Sequence, residues 1–225
     1  MNVTEYLQKW SVSYRDDMLG NIMPFWLKHG LDLRNGGVYT CLDRDGSLID
    51  TTKSVWFQGR FAFTCSYAYN HIEQNPEWLA AAKSTIDFIE QHCFDSDGRM
   101  FFEVTASGEP LRKRRYVFSE TFAAIAMAEY AIASGEREYA EKALKLFKDI
   151  QRFLNTPGVL EPKYWNTVQS KGHSIVMILI NTASRIRAAI ADPALDCIVT
   201  ERFYASGIQC VIGDGWFQRG IHRYD

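Results

Sequence analysis

The sequence predicts an all-α chain, built as an α/α toroid or solenoid with short β-hairpins at one end. Three observations predict this. Apolar residues recur at three- and four-residue spacing through most of the chain. Two short segments switch to alternation around glycine-containing turns. Helix–hairpin–helix units return at intervals of roughly 50–60 residues, a weak internal repeat. A four-helix bundle would not carry hairpins at alternate connections.

Composition limits the function before any motif is read. The chain has 225 residues, enough for one domain or at most two small ones with a real core. Its formal net charge of −2 gives no overall positive field for nucleic acid or an anionic membrane. The aromatic fraction of 14% is high, and aromatic rings wall sugar and base pockets as well as cores. The five cysteines are widely spaced with no C-x-x-C pair, so they read as reduced, mostly buried thiols of a cytoplasmic protein. The N-terminus is polar, without a secretory pattern, and no apolar run approaches the roughly 20 residues of a membrane span.

The first helix spans 4–29, with Tyr6, Leu7, Trp10, Tyr14, Met18 and Ile22 in period. Thr4 reads as its N-cap, Pro24 as a kink or division, and His29-Gly30 as its stop. Residues 36–50 then form a hairpin, opened by Gly36-Gly37 and turned at Asp45-Gly46. A helix over 52–72 follows, with Val55, Trp56, Gly59, Phe63 and Tyr67 as inward candidates. Asn75-Pro76 starts the next helix, to residue 93. Residues 100–117 repeat the hairpin pattern.

The small-residue helix 119–134 suits an inner ring, with Ser119 or Thr121 as cap and Gly135 as stop. Residues 136–154 form its amphipathic partner, with Tyr139, Ala143, Leu146, Phe147, Ile150 and Phe153 on one face. A polar loop over 155–170 leads to a helix over 171–191, and Asp192-Pro193 begins a short helix to about residue 204. The stretch 205–225 has four glycines and no helical period. The chain therefore divides into a helical unit, 1–204, and an atypical tail, 205–225.

Four segments carry chemistry. Trp56 and Arg60 share one helix face, offering a flat wall and a forked cation that could hold a polar ring and steady an oxyanion. The plainer alternative is a core Trp beside an Arg paired with a carboxylate. Arg112-Lys113-Arg114-Arg115 reads as a solvated strand with one inward Arg rather than a nucleic-acid patch, and Tyr116 faces either a pocket or the core. Ser119-Glu120 fits a helix-capping arrangement. His173 opens an apolar helix, where the N-terminus disfavours the imidazolium; it is either an acid–base group or structural. Asp43, Asp45 and Asp50 fit a hairpin turn and not an EF-hand, so no metal site is expected.

Two runs carry a resemblance. GGVYTCLDRDGSLIDTTKSVWFQGRF, and later PLRKRRYVFSETFAAIAMAEYA, closely resemble the N-acylglucosamine 2-epimerase family, which includes the renin-binding proteins. The resemblance implies an (α/α)6 barrel, of which about seven of twelve helices are present. It implies interconversion of N-acetylglucosamine and N-acetylmannosamine by removal and return of the C2 proton next to a carbonyl. Relatives epimerise cellobiose or interconvert mannose and fructose.

The resemblance assigns Arg60 and His173 to catalysis, and Trp56, Tyr116, Gln169 and Glu120 to substrate binding. It implies no required cofactor, with ATP as an allosteric activator in some members. Family members are longer, with their principal acid–base histidines in the second half. That implies a partial copy of reduced activity, with 205–225 reading as a premature stop or frame change. Open ring edges imply a homo-oligomer or self-association. The partners expected are an amino sugar, with neither nucleic acid nor membrane. Two other functions fit the same residues: a non-catalytic sugar- or protein-binding module, and a related sugar isomerase or cellobiose 2-epimerase.

Overall fold

The computed structural model describes residues 2–161, 170–172, 174–192, 195 and 221–223. It begins with α1 (Val3–Asp17), a π-helical turn (Met18–Ile22) and α2 (Met23–His29). Pro24 has no N–H for an i→i−4 bond, and the wider turn just before it lets the helix pass that gap without breaking. The N-cap is Asn2 and not Thr4. Asn2 Oδ1 accepts from the Glu5 N–H at 2.9 Å, while the Asn2 N–H donates to the Glu5 carboxylate at 3.0 Å. This reciprocal box satisfies two donors, which a cap at Thr4 would not.

The first hairpin pairs β1 (Cys41–Leu42) with β2 (Leu48–Asp50). A short strand, β3 (Lys53–Ser54), precedes α3 (Val55–His71). After α4 (Pro76–His92), β4 (Phe101–Val104) and β5 (Pro110–Lys113) form the second hairpin. β3 joins its edge, Lys53 opposite Val104, so the sheet is an antiparallel β3–β4–β5. Sequence periodicity alone did not separate β3 from the helix that follows.

Then come α5 (Phe118–Ser134), α6 (Arg137–Asn155), β6 (Ser170–Gly172), α7 (Ser174–Ala189) and β7 (Ile221–Arg223). β6 and β7 pair antiparallel, so residues 170–172 are strand and the helix read from 171 starts at Ser174. Of the expected short helix to 204, only residues 192 and 195 are described. The 204/205 boundary also lies outside the described residues.

α5 is the centre of the packing. Every residue from Ser119 to Ala131 is buried, and the helix touches α3, α4, α6 and α7. A helix apolar all round must be enclosed, whereas α4 and α6 bury one stripe each. The resulting order, inner α3 and α5 backed by outer α4 and α6, is the expected helix-pair arrangement. α5 has no side-chain cap: its N-cap is Val117, and Ser119 and Thr121 lie inside the first turn. The Thr121 hydroxyl instead donates to the Phe118 carbonyl at 2.8 Å.

α3 departs from its expected inward face. Val55 and Gly59 are buried, but Trp56 and Phe63 are half-buried and Tyr67 is exposed. The enclosed stripe is Val55, Gln58, Gly59, Ala62, Cys65 and Ser66, small or polar residues that let α5 come close. Of the large rings, Phe63 and Tyr67 lie under Arg185 of α7, and Trp56 lies against Phe118 and Phe122 of α5. Cys65 and Cys93 are buried thiols whose pKa values burial pushes up to about 12, whereas Cys41 is exposed.

Gly59 marks the closest approach of α3 to α5. A Cβ there would lie 2.6 Å from the Phe122 carbonyl carbon, a backbone atom that cannot swing away. Gly59→Ala is therefore expected to destabilise the chain by about 1–3 kcal/mol in urea unfolding. Gly20→Ala, in the π-helical turn with nothing within 4 Å, is expected to be neutral or stabilising.

Candidate active site

The site stands on a buried cation. Lys53 is fully enclosed; its Nζ donates to Asp32 Oδ2 at 2.8 Å, the Gly36 carbonyl at 2.7 Å and the Ala106 carbonyl at 2.9 Å. It also lies 4.2 Å over the Phe88 ring. Burial pushes the Lys53 ammonium below its ordinary range, and the Asp32 contact opposes this. Burial alone would raise the Asp32 carboxyl. Hydrogen bonds from Lys53, from the Asn35 side chain and N–H, and from the Arg34 N–H outweigh it and hold the group well below the usual carboxylate range.

The neighbouring motif residues serve the same end. Gln58 is enclosed and clamps Val38: its Oε1 accepts from the Val38 N–H at 2.8 Å and its Nε2 donates to the Val38 carbonyl at 2.6 Å. Gly37 has φ +73°, and a Cβ there would meet Gln58 Oε1 at 2.6 Å. Lys53 and Gln58 thus tie the 32–38 loop and the 106 turn to the start of α3.

On this base sits an aromatic shelf. Trp56 meets Phe102 of β4 at 5.2 Å, and Phe118 and Phe122 of α5 at 5.4 and 5.8 Å between ring centres. Tyr116 extends the row, 6.0 Å from Phe118. Two guanidiniums flank it: Arg60 lies 4.2 Å over Phe122 and Arg114 lies 4.6 Å over Phe102. Arg60 is exposed, and among the described residues its guanidinium has no hydrogen-bond or ion-pair partner. A stacked guanidinium keeps its N–H fork free in the ring plane. Further along α3, Arg185 of α7 lies over Phe63 and Tyr67 at 5.6 and 5.3 Å.

The structure therefore brings Trp56, Arg60 and Tyr116 to one shelf, and the alternative of Arg60 paired with a carboxylate does not hold among the described residues. Glu120 is not on that shelf, which corrects its place among substrate-binding residues. It is fully enclosed, accepts from the Met100 N–H at 2.9 Å, and sits 3.8 Å from Arg99 Nε. Burial raises its pKa against those two contacts. Arg99 in turn donates to the Arg114 and Tyr116 carbonyls, at 2.7 and 2.9 Å, so Glu120 and Arg99 hold the segment that carries Tyr116. His173 and Gln169 lie outside the described residues.

The basic run also differs from its reading. β5 ends at Lys113, and Lys113 is the half-buried member, bound to Asp95 and Asp97 at 2.6 Å each, where an inward Arg was expected. Sequence reasoning missed Phe102, Phe118, Phe122 and Arg114. Phe118 and Phe122 share a face of α5 at i,i+4 spacing, which was the available signal; Phe102 and Arg114 needed the β4–β5 register. Among the described residues no group of three His, Cys, Asp or Glu could hold a metal ion, and no helix is long and apolar enough to cross a membrane.

An aromatic shelf beside a guanidinium that is unpaired among the described residues thus stands at the hairpin end of paired helices, on an α/α-toroid fold. The cellobiose 2-epimerase of Spirochaeta thermophila has this fold: it superposes with a TM-score of 0.77 at 21% identity, over 93% of this chain and 55% of that one. A sequence model of the N-acylglucosamine 2-epimerase (GlcNAc 2-epimerase) family matches residues 37–181, more than half of the chain, and the chain belongs to that family. The bovine N-acylglucosamine 2-epimerase is 29% identical over 207 residues, 89% of this chain and 46% of that protein. A cellobiose 2-epimerase of Ruminococcus albus is 31% identical over 141 residues, 61% of this chain and 36% of that protein. The chain spans about half the length, or less, of the curated relatives it matches.

Two variants test the base of the site. Lys53→Met leaves the Asp32 carboxylate buried without its cation and is expected to cost about 3–5 kcal/mol in urea unfolding. Asp32 has a folded pKa below its unfolded value of about 3.9, so its contribution is present above that pH and fades on acidification. Asp32→Asn is expected to be much less stable at pH 7 and to lose less stability than the parent between about pH 5 and pH 2.

Proposed function

We propose that this chain carries the sugar-holding part of a 2-epimerase that interconverts N-acetylglucosamine and N-acetylmannosamine. The observation that carries this is the Arg60 guanidinium, unpaired among the described residues and stacked on Phe122 beside Trp56. Family membership supports the reaction class. The open-chain sugar lies on the Trp56 and Phe118 rings, with Tyr116 at one end and Arg60, seated on Phe122, at its side. Removal of the C2 proton sends charge to the C1 oxygen, and the Arg60 fork donates to that oxyanion. His173 is the proton-transfer group and Gln169 a contact to the sugar, both taken from the family resemblance. The reaction needs no cofactor, and ATP acts as an activator.

Proton exchange tests this without requiring full turnover. N-acetylmannosamine incubated with the chain in D2O should lose its C2 proton signal in NMR, and Arg60→Gln should slow that loss about 10²–10³-fold. ATP added to the same assay tests activation, and mannose and cellobiose in place of the amino sugar test the isomerase and cellobiose readings. Saturable binding with no exchange for any of these sugars would replace the epimerase with a binding module.

We also propose that the chain self-associates. Val3, Leu7, Trp10 and Tyr14 are exposed along one side of α1, and α1 buries none of its residues. Light scattering should show more than one copy per particle, and Leu7→Glu with Trp10→Glu should shift the population toward monomer.

A further inference from the structure

A half-open cavity of 310 Å³ lies between α2 with its preceding turn and α3. Phe57, Phe61 and Thr64 of α3 form one wall, and Ile22, Trp26 and Leu27 face them. The lining is almost wholly apolar, and Arg60 is its single charged side chain. Arg60 therefore borders two surfaces, the aromatic shelf and this cavity.

We propose that the cavity binds a single-chain amphiphilic carboxylate of medium length. The carboxylate meets the free fork of Arg60, and the alkyl tail lies along Trp26, Leu27 and Phe61. The chemistry selects this occupant. A neutral hydrocarbon leaves the exposed guanidinium to water, whereas a carboxylate matches its fork with two parallel hydrogen bonds. A sugar would press its hydroxyls against carbon walls that cannot hydrogen-bond them. A polyanion would find no second cation in the lining. An apolar cavity of about 150 Å³ holds one benzene, so this one accommodates a chain of about eight carbons. The site shares Arg60 with the shelf, so octanoate and a sugar compete for one guanidinium, but octanoate binding itself requires no epimerase turnover.

Calorimetric titration of the whole chain with octanoate tests it. Saturable one-to-one binding is expected, with hexanoate roughly tenfold weaker for its two missing methylenes. Octan-1-ol, with the same tail and no charge, should bind at least about tenfold more weakly than octanoate. Arg60→Gln should remove the preference for octanoate over octanol. Thr64→Phe, at an exposed position on the cavity wall, should weaken both ligands. Circular dichroism verifies that each variant is folded, and the head-group and chain-length series needs no substitution. Equal affinity for octanoate and octanol, no dependence on chain length, or no saturation up to about 10 mM octanoate would overturn the proposal.

Discussion

A lysine ammonium loses several kcal/mol of hydration when it is fully enclosed, unless its protons all find acceptors. Lys53 finds three, from two separate segments: Asp32 and the Gly36 carbonyl in the loop after α2, and the Ala106 carbonyl in the β4–β5 turn. That demand fixes where those segments lie. Because Lys53 is also the residue that pairs β3 with β4, the second hairpin is held against the start of α3 by the ladder and the Lys53–Ala106 hydrogen bond together. Trp56 follows three residues later, so its ring reaches Phe102 of the same hairpin. The shelf is a consequence of the buried cation below it.

The second constraint is the close contact between α3 and α5. Gly59 admits the Phe122 backbone, and this brings Phe122 next to both Trp56 and Arg60. The motif K-S-V-W-F-Q-G-R thus divides its work. Lys53 and Gln58 hold the loops, Gly59 sets the helix spacing, and Trp56 and Arg60 face outward with free chemistry. Arg99 and Glu120 do for the Tyr116 segment what Lys53 does for the loops, with a buried ion pair and donated backbone bonds.

Helices were legible because burial enforces their period: the stripe Tyr139, Ala143, Leu146, Phe147, Ile150 and Phe153 of α6 is the one read from spacing. Both hairpins were legible from their glycine turns. β3 was not, since two residues carry no period and their partner in β4 lies about 50 residues away in the chain. The cap at Asn2 depends on which side chain reaches an N–H, and α5 starts after Val117 with no side-chain cap at all; spacing reveals neither. In the site, Trp56 and Arg60 were legible from i,i+4 geometry. Glu120 was misplaced because a carboxylate in the first turn of a helix looks the same in sequence whether it meets solvent or a buried arginine. Phe102 and Arg114 became visible only with the register of β4 and β5.

The central claim is that the shelf bordered by Arg60 holds the sugar. A crystal structure with an open-chain, reduced N-acetylmannosamine tests it most directly, because the alditol presents a C1 oxygen without reacting. The account predicts the carbon chain over Trp56 and Phe118, with the C1 oxygen about 2.7–3.1 Å from an Arg60 nitrogen. An alditol bound elsewhere, with the shelf empty and the Arg60 fork facing solvent, would contradict it.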